Sequence, residues 1–214
     1  VQTCALPILQ DSAAQLVAQL MAPQPGERIL DACSAPGGKA CHLLERQPAL
    51  QELVALDISE SRLQRVIENS ARLDLKLTPL VADASELPET LLAKPFDAIL
   101  ADVPCSATGV IRRNPDIKIL REPEDIAAFA SQQLAILEGL WSALKPGGRL
   151  LYVTCSLLAA ENDDVVEAFV STNNAQTLVT EFDTGVARHH GWQSLPHRSG
   201  GDGLYFAMLL KPVD

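Results

Sequence analysis

Apolar runs and stretches with helical spacing alternate along most of this chain. "DSAAQLVAQLMA" (11–22) places Leu16, Val17, Leu20 and Met21 on one helical face. "ERILDAC" (27–33) reads as a buried strand, and "GGKACHLLERQ" (37–47) as the next helix. "ELVALDI" (52–58) is a second strand. The helix predicted over 59–73 carries Leu63, Val66, Ile67 and Ser70 on one face, with Ser59 or Ser61 as N-cap. "LTPLVADA" (77–84) and "FDAILADV" (96–103) are further strands. Pro123 suits the first turn of a long helix through Leu144, with Ile126, Ala130, Leu134, Leu137 and Trp141 in its stripe. "KPGG" (145–148) predicts a glycine stop for that helix, and "RLLYVTC" (149–155) is the fifth strand. "ENDDVVEAFVST" (161–172) reads as a helix, while "QTLVTEF" (176–182) and "GLYFAMLLK" (203–211) predict a C-terminal antiparallel hairpin. This order predicts an α/β fold: a mostly parallel, doubly wound sheet with helices on both faces.

In such a sheet, ligands bind beyond the carboxyl ends of the strands. Asp31, Asp57, Asp83, Asp102 and Cys155 each end, or nearly end, a predicted strand. One carboxylate there is an ordinary turn former or helix cap. Four on one rim predict a site. "ILADVPCSATG" (99–109) and "LLYVTCSLL" (150–158) also put Cys105 and Cys155 where strands give way to loops. A free cysteine is ordinarily packing material, but an accessible thiolate at a strand tip is a nucleophile.

Composition narrows the classes. The 214 residues are 47% hydrophobic and 21% charged, which suits one globular domain and excludes a disordered chain. No apolar run approaches the about 18 residues a membrane span needs. The start "VQTCALPILQ" lacks the pattern of a signal peptide, so a cytoplasmic protein with no membrane partner is expected. The five cysteines form no C-x-x-C, and the four histidines form no H-E-x-x-H, so no metal is expected. His42 reads as helix surface or packing, and His189 and His190 as part of a polar loop. The formal net charge of −10 argues against gripping nucleic acid by electrostatics alone. One stretch departs from that average: "IRRNPDIKILR" (111–121) sets Arg112, Arg113, Lys118 and Arg121 against Asp116, for a net +3. A charge run is usually a solvated face; this one directly follows the Cys105 loop.

"DACSAPGGKA" (31–40) joins the first strand to a helix, and its glycines allow a close backbone approach to a ligand. It matches neither G-x-G-x-x-G nor G-x-x-x-x-G-K-[ST], which weakens NAD and ATP readings. Asp57 falls twenty residues after Gly37, where an acid can hold ribose hydroxyls. A ribose-binding acid beside a loop not built for diphosphate suggests S-adenosylmethionine.

The stretches "LQDSAAQLVA", "DACSAPGGK", "ALDISESRL", "DVPCSATGVIRRNPDIK", "LKPGGRLLYVTCSLLAAEN" and "GDGLYFAMLLK" run from Leu9 to Lys211. Over that span the chain resembles the RNA (cytosine-C5)-methyltransferase family, and most closely its branch acting on bacterial 16S ribosomal RNA. The resemblance implies a Rossmann-like class I methyltransferase domain over 10–214, with 1–9 an atypical stub. It implies a cofactor loop of Cys33, Ser34, Ala35, Pro36, Gly37, Gly38 and Lys39, with Asp57 on the ribose and Asp83 near the adenine. Asp102 would serve both cofactor and catalytic centre, Cys155 would be the nucleophile, and Cys105 would release the product. The substrate implied is a cytosine in RNA, locally single-stranded or flipped, with Arg112, Arg113, Lys118 and Arg121 on flanking phosphates. Full-length relatives are expected to carry an N-terminal RNA-binding region. Ser34 and Val103 stand where alanine is usual, and Ala40 where threonine is usual; no assigned functional group is lost. Two alternatives remain: a DNA cytosine-C5 methyltransferase attacking through Cys105, which leaves "TCS" unexplained, and a non-catalytic RNA-binding scaffold.

Overall fold

The computed structural model describes residues 10–178, 182, 185–197 and 200–213. The expected stub over 1–9, with Cys4, lies outside them, as do residues 179–181 of the predicted hairpin.

The elements run α1 (Ser12–Met21), β1 (Arg28–Ala32), α2 (Gly38–Arg46), β2 (Glu52–Asp57), α3 (Glu60–Arg72), β3 (Thr78–Val81), α4 (Glu89–Leu92) and β4 (Phe96–Asp102). They continue with α5 (Ile117–Leu120), α6 (Pro123–Ser142), β5 (Leu144–Thr154), α7 (Asp163–Asn173), β6 (Gln176–Leu178), β7 (Val186–Ala187), β8 (Trp192–Gln193) and β9 (Tyr205–Leu210). The sheet order is β3-β2-β1-β4-β5-β9-β8-β7, with β6 also on β9. β1 to β5 are parallel and β9 is antiparallel to β5. The order reverses between β1 and β4, so their carboxyl ends open a crevice.

Because strand side chains alternate, each strand feeds two cores. Leu30, Val54, Ile99 and Leu150 pack with Ile136, Leu137 and Trp141 of α6 and Val166 and Phe169 of α7. Ile29, Leu53, Leu100 and Leu151 pack on the other face with Val17 of α1, Leu43 of α2 and Leu63 and Val66 of α3. Asp31, two residues after Ile29, lies on this second side, bonded to Ser34 of the loop that follows β1.

The helix ends follow local chemistry. Asp11 caps α1, Ser59 caps α3 by accepting from the Arg62 N–H, and Glu122 and Asp125 form a reciprocal capping box ahead of Pro123. One expectation fails: "KPGG" does not stop α6, which ends at Ser142, but lies inside β5. The β4–β5 register jumps from Phe96↔Leu144 to Ala98↔Arg149, so Asp97 faces a bulge made of residues 145–148. Gly147, at φ 76°, turns that bulge, and its N–H donates to the Lys211 carbonyl at 2.8 Å. The glycines serve the start of an interior strand, not the helix. α7 starts at Asp163, after a 3-10 turn over 159–161 that carries Glu161 into the interior. The predicted hairpin is present where described, as β6 on β9, but β9 pairs along its whole length with β5. No helix among the described residues is long and apolar enough to cross a membrane.

Candidate active site at the carboxyl rim of the sheet

The loop 33–37 turns from β1 into α2 against α3. Gly37 sits at φ 95°, and a Cβ there would lie 3.0 Å from Val66 Cγ1 and 3.1 Å from its Cα. Only glycine allows that approach. The Ser34 hydroxyl donates to Asp31 Oδ2 at 2.8 Å, while the buried Asp31 Oδ1 has no partner. Burial pushes the Asp31 carboxyl up to about 7, against the Ser34 hydrogen bond. Burial, with Asp102, Asp57 and Asp31 nearby, raises the Cys33 thiol to about 12, leaving it a packing group.

Asp57 ends β2 and is buried. It accepts from the N–H groups of Ser59 at 3.0 Å and Ala35 at 3.3 Å, and pairs with Arg62 at 3.3 Å. It is thus both an ordinary turn former and a wall of a cleft, which it shares with Cys33, Ile58, Asp83, Pro104 and Ile136. Asp83 is exposed at that edge, and hydrogen bonds from the Ser85 hydroxyl and N–H hold its carboxyl below the usual range. The residues fit an adenosine cofactor: carboxylates for hydroxyl and amine donors, apolar walls for a flat ring, and one orphaned acceptor on Asp31 under the loop.

Lys39, Asp102 and the two strand-end thiols stand beside this cleft. Lys39, in the first turn of α2, pairs with Asp102 at the tip of β4 at 2.5 Å. Burial works against the Lys39 charge, but the adjoining carboxylate holds its pKa above the ordinary value. β4 and β5 run side by side with Asp102 opposite Val153, so the loops that follow them start at one level. They bring Cys105 Sγ within 3.3 Å of Cys155 Sγ. That hydrogen bond, helped by Lys39 and opposed by burial, lowers the Cys155 thiol from its ordinary value. The same bond, together with burial, pushes Cys105 far up. Of the two sulfurs, Cys155 is the more readily ionised.

Two contacts around the thiols escaped the sequence. Gly109 passes so close to Gly203 that a Cβ would stand 1.8 Å from its carbonyl oxygen, and its N–H donates to the Cys155 carbonyl at 2.8 Å. Glu161 is buried beneath both thiol loops and bonds to each.

Residues 18–210 match the family model described as 16S rRNA methyltransferase RsmB/F. The chain belongs to that family. It is 50% identical over 209 residues to ribosomal RNA small subunit methyltransferase B of Pseudomonas syringae pv. tomato, covering 95% of this chain and 47% of that protein. The Shewanella oneidensis protein of the same name is 49% identical over 203 residues, covering 95% and 47%. The chain therefore spans about half the length of these curated relatives. Among solved structures it is similar to NSun6 from Pyrococcus horikoshii, at 30% identity and a TM-score of 0.85, over 96% of this chain and 53% of that one. That structure was solved with SFG, an analogue of S-adenosylmethionine. The family, the Rossmann-like fold and the cofactor class agree with the sequence reading.

Within this family member, the basic segment departs from the simple picture of free cations. Arg113 pairs with the buried Asp202, and Arg112 lies 3.6 Å from the same carboxylate. The Arg121 Nε donates to the Ser106 carbonyl at 3.0 Å, and its guanidinium lies 5.5 Å from the Phe129 ring centre. Three arginines thus brace the loops around the thiols, while Lys118 is exposed beside them. Far along the chain, Glu167, His189 and His190 bring donor atoms within 4.8 Å of one another. A 2.5 Å hydrogen bond between His190 Nε2 and Glu167 Oε2 accounts for that cluster.

Proposed function

We propose that residues 10–214 form a domain that transfers a methyl group from S-adenosylmethionine to C5 of a cytosine in 16S ribosomal RNA, through a covalent bond from Cys155 to C6. The carrying observation is the thiol pair: two sulfurs 3.3 Å apart at the rim, with Cys155 depressed and Cys105 raised.

C5 of cytosine is too electron-poor to take a methyl group unaided. The Cys155 thiolate adds to C6, forming the S–C6 bond and moving the ring's electron pair toward C5, which splits one hard step into two. S-adenosylmethionine, when bound, supplies an electrophilic methyl on its sulfonium. Asp102, held by Lys39, can accept a hydrogen bond from the exocyclic amine, and with a proton shared between its carboxyl and N3 it offsets the charge that develops on the ring. The C5 proton must then leave, its electron pair reforming the ring double bond as the C6–S bond breaks and returns the thiolate. Once Cys155 is a thioether, the hydrogen bond and the repulsion that keep Cys105 protonated are gone. Cys105 can then lose its own proton to solvent and, as a thiolate, take the proton from C5.

The order of the two thiols supports Cys155 over Cys105 as attacker, the reverse of a DNA-type mechanism. The target base must leave any helix to reach the rim. Lys118 and Arg112, exposed beside the thiol loops, are assigned to flanking phosphates. Such chemistry suits a reducing, cytoplasmic setting. The test is transfer of labelled methyl to unmodified 16S ribosomal RNA with bisulfite mapping, beside a DNA control. Label in a cytosine of RNA, lost in Cys155→Ala, is expected; label in DNA alone would contradict the reading.

A further inference from the structure

We infer that Glu161 is a positioning residue for the two thiols: its buried carboxyl ties the Cys105 loop to the Cys155 loop and so fixes the separation of the sulfurs. Oε1 accepts from the Ser106 N–H at 2.7 Å and the Gln133 amide at 3.3 Å. Oε2 accepts from the hydroxyls of Ser106 at 2.5 Å and Ser156 at 2.6 Å. Ser106 directly follows Cys105, and Ser156 directly follows Cys155. One carboxyl thus holds the residue after each sulfur, across loops separated by fifty residues.

The clamp is itself anchored. The Glu161 carbonyl accepts from the Tyr152 hydroxyl at 2.7 Å, which fixes it to β5. Gln133 of α6 also donates to the Pro104 carbonyl at 2.8 Å, so the same bridge reaches the residue before Cys105. The neighbouring Asn162 donates to the Ser156 carbonyl at 3.0 Å. A buried carboxyl is costly unless its oxygens are bonded; here every donor belongs to a thiol loop or to α6. Glu161 bonds to neither sulfur, and its effect passes through the two serines. Loosening either loop breaks the Cys105–Cys155 hydrogen bond, the leading cause of the depressed Cys155 thiol.

The inference rests on Cys155 as the attacking thiol, but its test needs no RNA. The pH dependence of Cys155 alkylation by iodoacetamide would be followed by peptide mass spectrometry in the whole chain, with S-adenosylmethionine affinity measured in parallel. Glu161→Ala should raise the alkylation midpoint by about one pH unit, so that the rate near neutrality falls about tenfold. Glu161→Gln, which keeps an acceptor for the Ser106 N–H, should shift it less. S-adenosylmethionine affinity should stay within about twofold, because Glu161 does not line the cleft and Gln133 still holds the Pro104 carbonyl. In a Cys105→Ala background, Glu161→Ala should add no further shift, since the hydrogen bond it protects is already absent. An unchanged midpoint in folded Glu161→Ala, or an equal shift without Cys105, would overturn the inference. If Glu161→Ala fails to fold, Ser156→Ala frees one loop alone and must shift the midpoint in the same direction; an unchanged midpoint there also overturns it. A wild-type midpoint in the ordinary thiol range would overturn both the clamp and the reading of Cys155.

Discussion

Cys105 Sγ lies 3.3 Å from Cys155 Sγ although fifty residues separate them, because the loops they occupy leave neighbouring parallel strands at the same level. The contact makes one sulfur the donor and the other the acceptor. Cys105→Ser keeps a hydroxyl donor and should leave the Cys155 midpoint depressed, whereas Cys105→Ala should return it toward the ordinary thiol range. Thiolate absorbance against pH reads this directly. Equal midpoints in the two variants would mean that the contact does not set the ionisation.

The cleft makes a second prediction. Asp57 is the buried carboxylate of its wall, and a charge-assisted hydrogen bond is worth about 1.5–3 kcal/mol. Asp57→Ala should therefore weaken S-adenosylmethionine binding about ten- to a hundredfold by calorimetry. Unchanged affinity would remove Asp57 from the cofactor site.

Asp31 gives a pH signature. Its pKa is raised by burial to about 7, above the unfolded carboxylate value, so the folded chain holds a proton that the unfolded chain has lost between the two. Its contribution to stability is present at acid pH and is lost as pH rises from about 4 toward 7. Asp31→Asn cannot ionise, so its melting temperature relative to wild type should climb between pH 5 and pH 8. A constant difference across that range would show that Asp31 ionises freely.

Asp202 is a buried carboxylate whose counter-charges come from Arg113 and Arg112. Arg113→Ala leaves it under-compensated and should destabilise the chain by about 1–3 kcal/mol. For a domain of this size that is a fall of about 2–10 °C in melting temperature. Adding Asp202→Asn should recover part of the loss. A neutral Arg113→Ala would return the arginine to a solvated face.

Much of this was legible in the sequence because strands and helices of ordinary length carry their period with them. The rim acids and both thiols fall at strand ends, and the strand order alone places those ends together. Other features depend on contacts the sequence does not display. "ENDDVV" reads as the start of a helix, and nothing local says that Glu161 turns inward to meet Ser106, fifty-five residues away. "KPGG" has the letters of a helix stop, but its glycines form a bulge against Asp97 and Lys211. Arg112 and Arg113 read as free charge because their partner, Asp202, lies in another loop. β7 and β8 have two residues each, too few to show a period.

The most direct test is a denaturing gel of each cysteine variant after incubation with 16S ribosomal RNA and S-adenosylmethionine. If Cys155 attacks and Cys105 releases, Cys105→Ala should accumulate as a covalent protein–RNA band, while Cys155→Ala and the double variant show none. A band that persists in Cys155→Ala and vanishes in Cys105→Ala would contradict the account.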